Sequence, residues 1–445
     1  MKNDIITLTI TDITPEGFGV GRYEGKAFFV ADTAIGDEIC ALVLKENKNH
    51  GFAKIVSVQK SSPDRVDDEC PNGRKCGGCV FRHISYDAEK ELKRNIVKNA
   101  FLRIGKMDLT VEPTVFSTDV RYRNKVQYPF APNNGRVSFG YYAPRSHRIV
   151  EHKTCLLQDE IFTNIASFCA KTAESLGLAA FDEQSGKGVL RHLVMRKNRV
   201  GEILLCVVVF KNDKKLLTLA EMLKSRFENI VGVHLNINKR RDNVIFGDET
   251  LLLLGQDVLR DTLCGKTFEL SPRAFYQVNA DMAEKLYSFA KSLLKKRDGI
   301  ILDLYCGVGT IGICLADDNA KLCGVEIIDS AVENAKKNAI LNGRTEDNSL
   351  FVCGDASMGV EECKKRFGTP DTIIVDPPRK GLDKSVIDTI VSANPDEIIY
   401  ISCDPATLAR DCAIFKEQGY VTSAATPFDL FPRTGHVETV VKLTR

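Results

Sequence analysis

Four short stretches hold residue types that can do chemistry at spacings that suit it. In IIYISCDPATLARD (398–411) an apolar run ends at Ser402 and Cys403 follows, with Asp404 and Pro405 next. Proline forces the chain to turn there, so the thiol comes at the end of a strand, where a thiolate is a candidate nucleophile. Thr407 is a candidate cap for the next helix. In DLFPRTGHVETVVKL (429–443), Glu438 stands in an otherwise apolar strand, two residues after His436. That alternation beside a glycine turn fits an acid/base pair, Glu438 as general base and His436 as its neighbour, and fits a solvent-facing glutamate equally. In IILDLYCGVGTIG (300–312) a strand ends near Asp303, and Gly307-x-Gly309-x-x-Gly312 precedes a helix. Glycines there let a ligand approach the backbone at the carboxyl edge of a sheet. Glu326 ends the next strand, placed to accept hydrogen bonds from ribose hydroxyls. This pattern fits NAD as well as S-adenosylmethionine. Finally, in IIVDPPRKG (373–381) Asp376 closes a strand ahead of two prolines, leaving a carboxylate at the same edge.

A fifth stretch, CPNGRKCGGC (70–79), spaces Cys70, Cys76 and Cys79 with paired glycines between the last two. Cys155, in HKTC, is a distant fourth thiol. Four thiolates fit an iron–sulfur cluster or zinc, and the spacing does not choose between them.

The elements that must position these groups can be read from periodicity. Residues 1–60 show four or five short strands with glycine turns, beginning with the alternating Ile5–Ile10, which suggests a small closed barrel of the OB type. Residues 61–280 read as a mixed α+β region with a helix over 87–104. From 281 to 445, apolar runs at 300–305, 321–327, 349–353, 372–375 and 397–402 alternate with helical stretches, the signature of a parallel α/β sheet. A multi-domain chain is therefore expected, with domains 1–60, 61–280 and 281–445.

Length and composition agree. The chain has 445 residues, 44% hydrophobic and 27% charged, ordinary for a folded globular protein. No apolar run approaches the roughly 20 residues of a membrane helix. The N-terminus has no signal-peptide core, so a cytoplasmic protein with no membrane partner is expected. Fifteen cysteines in a reducing compartment are then metal ligands, catalytic groups or core residues. Net charge is only +2, but it is uneven. Residues 121–153 carry seven Lys/Arg against one Asp/Glu, and 186–245 thirteen against five, whereas 300–400 carry ten against seventeen. Basic middle segments point to a polyanionic partner.

Taken together, DPPRKG, YISCDPATLARD and FPRTGHVE, with FYQVN (275–279) and DLYCGVG (303–309), make the chain resemble the bacterial RNA uracil-C5 methyltransferases along its whole length. The resemblance implies a Rossmann-like S-adenosylmethionine-dependent methyltransferase domain at 281–445 and a TRAM-type RNA-binding barrel at the N-terminus. It implies Cys403 as the nucleophile that adds to uracil and Glu438 as the base that completes the reaction. Gln277, Tyr305, Glu326 and Asp376 are implied as contacts of S-adenosylmethionine. In the family's ribosomal branch the cysteines matching Cys70, Cys76, Cys79 and Cys155 hold a [4Fe-4S] cluster. The expected product is 5-methyluridine in 23S ribosomal RNA, made by a monomer with no obligate protein partner. Asp404 stands where many relatives have Asn, and Thr310-Ile311 where some have a polar residue. Three alternatives remain: transfer RNA as substrate, cytosine in place of uracil, and a non-catalytic RNA-binding protein with a metal-stabilised module.

Overall fold

The computed structural model describes residues 2–445. By packing, the chain divides into two compact units. One comprises Met1–Asp119, Pro378–Leu382 and Ile401–Leu443; the other Val120–Pro377, Asp383–Tyr400 and Thr444–Arg445.

The first unit starts with a closed five-stranded barrel: Ile5–Ile13, Phe18–Tyr23, Lys26–Ala31, Glu38–Glu46 and His50–Lys60, ordered 1-2-3-5-4. Strict alternation in the first strand buries Ile6, Leu8 and Ile10, which meet Phe28, Val30, Ile39 and Val43 in the barrel core. Gly51 is required there, since a Cβ would lie 2.3 Å from the Phe28 ring. Ser85 caps the helix Tyr86–Arg103 by accepting from the Ala88 amide. That helix packs against Pro405–Glu417, and the strands Val421–Phe428 and Glu438–Thr444 lie side by side.

The second unit holds three sheets, the smallest being the antiparallel pair Leu259–Leu263 and Lys266–Leu270. The first has seven strands, and one of its inner strands is Ile203–Val209, whose seven residues are all buried. It pairs antiparallel with Leu190–Lys197 and parallel with Ile230–Ile237. The helices Glu160–Ser175 and Lys215–Arg226 supply Phe162, Ile165, Leu219 and Leu223 to its core. The second sheet is parallel, in the order Ser349–Cys353, Lys321–Glu326, Ile300–Leu304, Thr372–Val375, Glu397–Ser402. The last two residues of its fifth strand fall in the first unit. Near-continuous apolar runs such as Ile398–Ile401 are what a sheet covered on both faces needs. Strand order reverses between Ile300–Leu304 and Thr372–Val375, and a ligand crevice forms outside the carboxyl ends at such a switch point.

No helix among the described residues is long and apolar enough to cross a membrane. The architecture is thus an N-terminal barrel, a mixed region and a Rossmann-like region.

Candidate active site

In the second unit, the strand Ile300–Leu304 delivers Asp303 to the carboxyl edge, 1% exposed. Its Oδ2 accepts from the Gly312 amide at 2.8 Å, pinning the first turn of Thr310–Leu315, while Oδ1 is buried without a partner. Tyr305, Gly307 and Gly309 all adopt positive φ, so the chain doubles back between strand and helix. Above Gly307 nothing lies within 4 Å of where a Cβ would be, which leaves the backbone open to a ligand. Glu326, at the end of the neighbouring strand, accepts from Gly307 at 3.2 Å through Oε2, and from Ile327 and Ile328 at 2.9 and 3.1 Å through Oε1.

These carboxylates share one field. Burial, with added repulsion from Asp376 and Glu326, raises Asp303 to about 8 despite the Gly312 bond. Asp376, past the end of Thr372–Val375, keeps some open surface, yet the protein packed around it raises its carboxyl to about 7. A cluster of carboxylates at a low-dielectric sheet edge attracts a cation.

Gln277 is half-buried ahead of the helix Ala280–Leu293, and its carbonyl accepts from Asn124 Nδ2 at 3.0 Å. Tyr287 on that helix was not singled out from sequence, where it reads as one position of an apolar stripe. It is buried, hydrogen-bonded to both Gln277 and Thr310, and close enough to Asp376 that its phenol is raised by burial and by that charge. The only sequence signal was its spacing behind FYQVN.

The unit also has a cleft of about 730 Å³ whose walls include Arg123, Lys125 and Arg191, the carboxylates Glu183 and Asp242, and the rings of Tyr141, Phe275 and Tyr276. Burial and the neighbouring Arg196 push the Lys125 ammonium down to about 7. Cations with aromatic rings suit single-stranded nucleic acid.

In the first unit, Cys403 is half-buried directly after the strand Glu397–Ser402. The cap of the following helix is Asp404, not Thr407: its Oδ1 accepts from Ala406 at 2.9 Å and Thr407 at 3.0 Å. Asp404 therefore sits at the favourable end of the helix dipole. The Thr407 hydroxyl instead donates to the Arg379 and Asp404 carbonyls. Glu438 is the first residue of its strand and 6% exposed. His436 is half-buried, within 3.2 Å of Arg379 Nη2 and edge-on to Phe431.

Cys70, Cys76 and Cys79 share a neighbourhood. Burial and Cys70 raise the Cys76 thiol, and Cys76 accepts from the Gly78 amide at 3.4 Å. Against the burial that lowers it, Asp68, Cys79 and Cys70 raise the Arg82 guanidinium. Cys155 belongs to the other unit. Among the described residues no three Cys, His, Asp or Glu side chains stand where they would hold a metal ion. The arrangement of Cys70, Cys76 and Cys79 thus gives no support to the iron–sulfur cluster expected there.

A Rossmann-like sheet with an open glycine turn and an acidic edge fits a nucleotide-type cofactor, and the similarity to known proteins gives the class: an RNA methyltransferase that uses S-adenosylmethionine. Residues 201–445 match the family model described as tRNA (Uracil-5-)-methyltransferase. An uncharacterized RNA methyltransferase of Listeria monocytogenes is 38% identical over 447 residues, 99% of this chain and 98% of that protein. One of Halalkalibacterium halodurans is 38% identical over 449 residues, 99% and 97% respectively. The chain belongs to the RNA uracil-5 methyltransferase family. In structure it resembles the Pyrococcus abyssi tRNA (uracil-54, C5)-methyltransferase in complex with S-adenosyl-L-homocysteine. The TM-score is 0.79 and identity 25%, over 98% of this chain and 99% of that one. A tRNA enzyme thus aligns along almost the entire chain, so the presence of an N-terminal barrel does not by itself separate a ribosomal from a transfer RNA substrate.

Proposed function

We propose that the protein methylates carbon 5 of a uridine in RNA through a covalent Cys403–uracil adduct, giving 5-methyluridine. The observation that carries the reading is the acidic sheet edge, where the carboxyl groups of Asp303, Glu326 and Asp376 gather and burial raises Asp303 to about 8 and Asp376 to about 7. S-adenosylmethionine, when bound, supplies an electrophilic methyl on a positively charged sulfur. Glu326 accepts from ribose hydroxyls in this reading, and the turn at Tyr305–Gly309 gives the donor its apolar and backbone contacts. Gln277, tied to Tyr287, presents an amide able to read the edge of a base that has left its stack. Asp376 closes the crevice.

The Cys403 thiolate adds to carbon 6 of uracil, and carbon 5, now enolate-like, takes the methyl. The new S–C6 bond must then break. Glu438 removes the carbon 5 proton, the electrons re-form the ring double bond, and the thiolate leaves with its pair. Atoms balance: one methyl is gained and one proton lost at carbon 5, and Cys403 returns unchanged.

Arg123 and Arg191 in the cleft, and the barrel, TRAM-like in this reading, hold the RNA backbone. The finer proposal for the substrate is 23S ribosomal RNA, which rests on the cysteine-bearing branch the chain resembles. Transfer RNA is the second reading, favoured by the full-length likeness to the P. abyssi enzyme. The [4Fe-4S] cluster that the resemblance implies enters no step here. The test is incubation with methyl-labelled S-adenosylmethionine and unmodified 23S and transfer RNA, followed by digestion to nucleosides. 5-Methyluridine from one RNA alone assigns the branch. Label in 5-methylcytidine, or full activity in Cys403→Ala, refutes the reaction.

A further inference from the structure

The turn that leads into Glu438 is clamped from three sides within the first unit. Arg433 is its centre, a non-glycine residue at φ 68°, a conformation that persists only where surrounding contacts over-determine it. Its amide donates to Glu89 Oε1 at 2.7 Å on the helix Tyr86–Arg103. Its carbonyl accepts from Val80 at 2.9 Å and Phe81 at 3.3 Å, the residues directly after Cys79. Its guanidinium donates to the Ile84 carbonyl at 2.8 Å through Nη1 and to Asp119 Oδ2 at 2.8 Å through Nε, and lies 5.2 Å from the Tyr86 ring centroid. Two residues on, a Cβ at Gly435 would lie 1.7 Å from the Pro15 carbonyl, so the barrel presses on the same turn.

The start of the turn is fixed by charge. Lys93, fully buried, bridges Glu89 at 2.8 Å and Asp429 at 2.7 Å and donates to the Phe431 carbonyl at 3.2 Å. Tyr86 donates to the second Asp429 oxygen at 3.0 Å. Asp429, Phe431, Arg433 and Gly435 are therefore each tied, or packed, against the helix, the segment after the cysteines or the barrel. Buried ion networks of this kind add little net stability compared with apolar packing. Their value lies in fixing one geometry.

We propose that Arg433 is a positioning residue for Glu438, fixing the turn so that the carboxylate meets the carbon 5 proton, and that residues 80–84 are the other jaw of this clamp. The inference rests on the reading of Cys403 as nucleophile and Glu438 as base. Misplacing a base by about an ångström costs up to roughly a hundredfold. Only the step that uses Glu438 is slowed, so the covalent intermediate accumulates.

The experiment follows an SDS-stable protein–RNA band over time, with whichever unmodified RNA the wild type methylates, in wild type, Glu438→Gln and Arg433→Ala. Thermal melting and S-adenosylmethionine binding are measured alongside. The expected result is that Arg433→Ala forms the band at the wild-type rate and loses it about tenfold or more slowly, as Glu438→Gln does. A folded Arg433→Ala that releases its RNA at the wild-type rate, or slows formation and release alike, overturns the proposal. If Glu438→Gln accumulates no band, the reading of Glu438 itself fails, a separate outcome. If Arg433→Ala does not fold, Arg433→Lys is read instead. Lysine keeps a charge for Asp119 but has one nitrogen in place of the planar fork whose Nε and Nη1 reach Asp119 and the Ile84 carbonyl separately. A wild-type band lifetime in that variant overturns the clamp, and a lengthened one supports it.

Discussion

Replacing Asp303 with Asn removes a titrating group while keeping an oxygen for the Gly312 amide. In the wild type, Oδ2 makes that bond and Oδ1 is buried with no partner. Burial first, then Asp376 and Glu326, raise the carboxyl to about 8, against about 3.9 in an unfolded chain. Folding therefore favours the protonated form. The resulting stabilisation is complete below about pH 4 and is lost as pH rises through about 8, at a limiting slope of about 1.4 kcal/mol per pH unit. Relaxation around the buried charge reduces the total, and we expect a wild-type loss of about 2–4 kcal/mol across the window relative to the variant. Asp376 and Glu89, each raised to about 7, titrate in both proteins and largely cancel in the comparison. The assay is melting temperature between pH 5 and 8.5 without S-adenosylmethionine. At roughly 2 °C per kcal/mol for a unit of this size, the wild type should fall about 4–8 °C further than Asp303→Asn. Parallel profiles would show that this carboxyl is ionised in the folded protein, and the account of the acidic edge would be wrong.

Three more outcomes are expected. Lys93→Met leaves Glu89 and Asp429 buried without their shared cation and should destabilise the first unit by about 3–5 kcal/mol; chemical denaturation measures it, and a loss below about 1 kcal/mol contradicts the network. Gly312→Ala puts a methyl 2.8 Å from Leu322 and 2.9 Å from Asp303 Oδ2, so S-adenosylmethionine affinity by calorimetry should fall about tenfold, or about 1.4 kcal/mol. Protein purified without oxygen should carry about four irons per chain if the family's cluster is present, and iron-free protein that still methylates RNA ends that expectation.

The sequence made the barrel legible because one face of each strand is buried, and the period-2 alternation of Ile6, Leu8 and Ile10 survives in the first strand. The parallel sheet was legible for the opposite reason. Both its faces are covered, so Ile398, Ile399, Tyr400 and Ile401 run together. The glycine turn and Asp303 followed from local geometry that only glycine and a strand end permit. What could not be read was the buried charge. Glu89 and Lys93 are four apart on a helix, the spacing of an ordinary exposed pair, yet both are fully buried. Their partners Asp429 and Arg433 come from more than 330 residues later in the chain, and no local pattern encodes that. The cysteine spacing likewise drew three thiols to one neighbourhood, while ligand geometry depends on side-chain directions that spacing does not fix.

The closeness of Gly435 to Pro15 has a consequence for modularity. A small closed barrel is easily pictured as a module that could be cut off or exchanged, leaving the rest of the chain unchanged. Here the backbone of the barrel's first turn is a wall of the turn before Glu438, with no room for one methyl group between them. A chimera carrying a relative's barrel would inherit that relative's spacing at this wall. The barrel and the turn at Gly435 have to be exchanged as a pair, because a side chain at position 435 has no room beside Pro15.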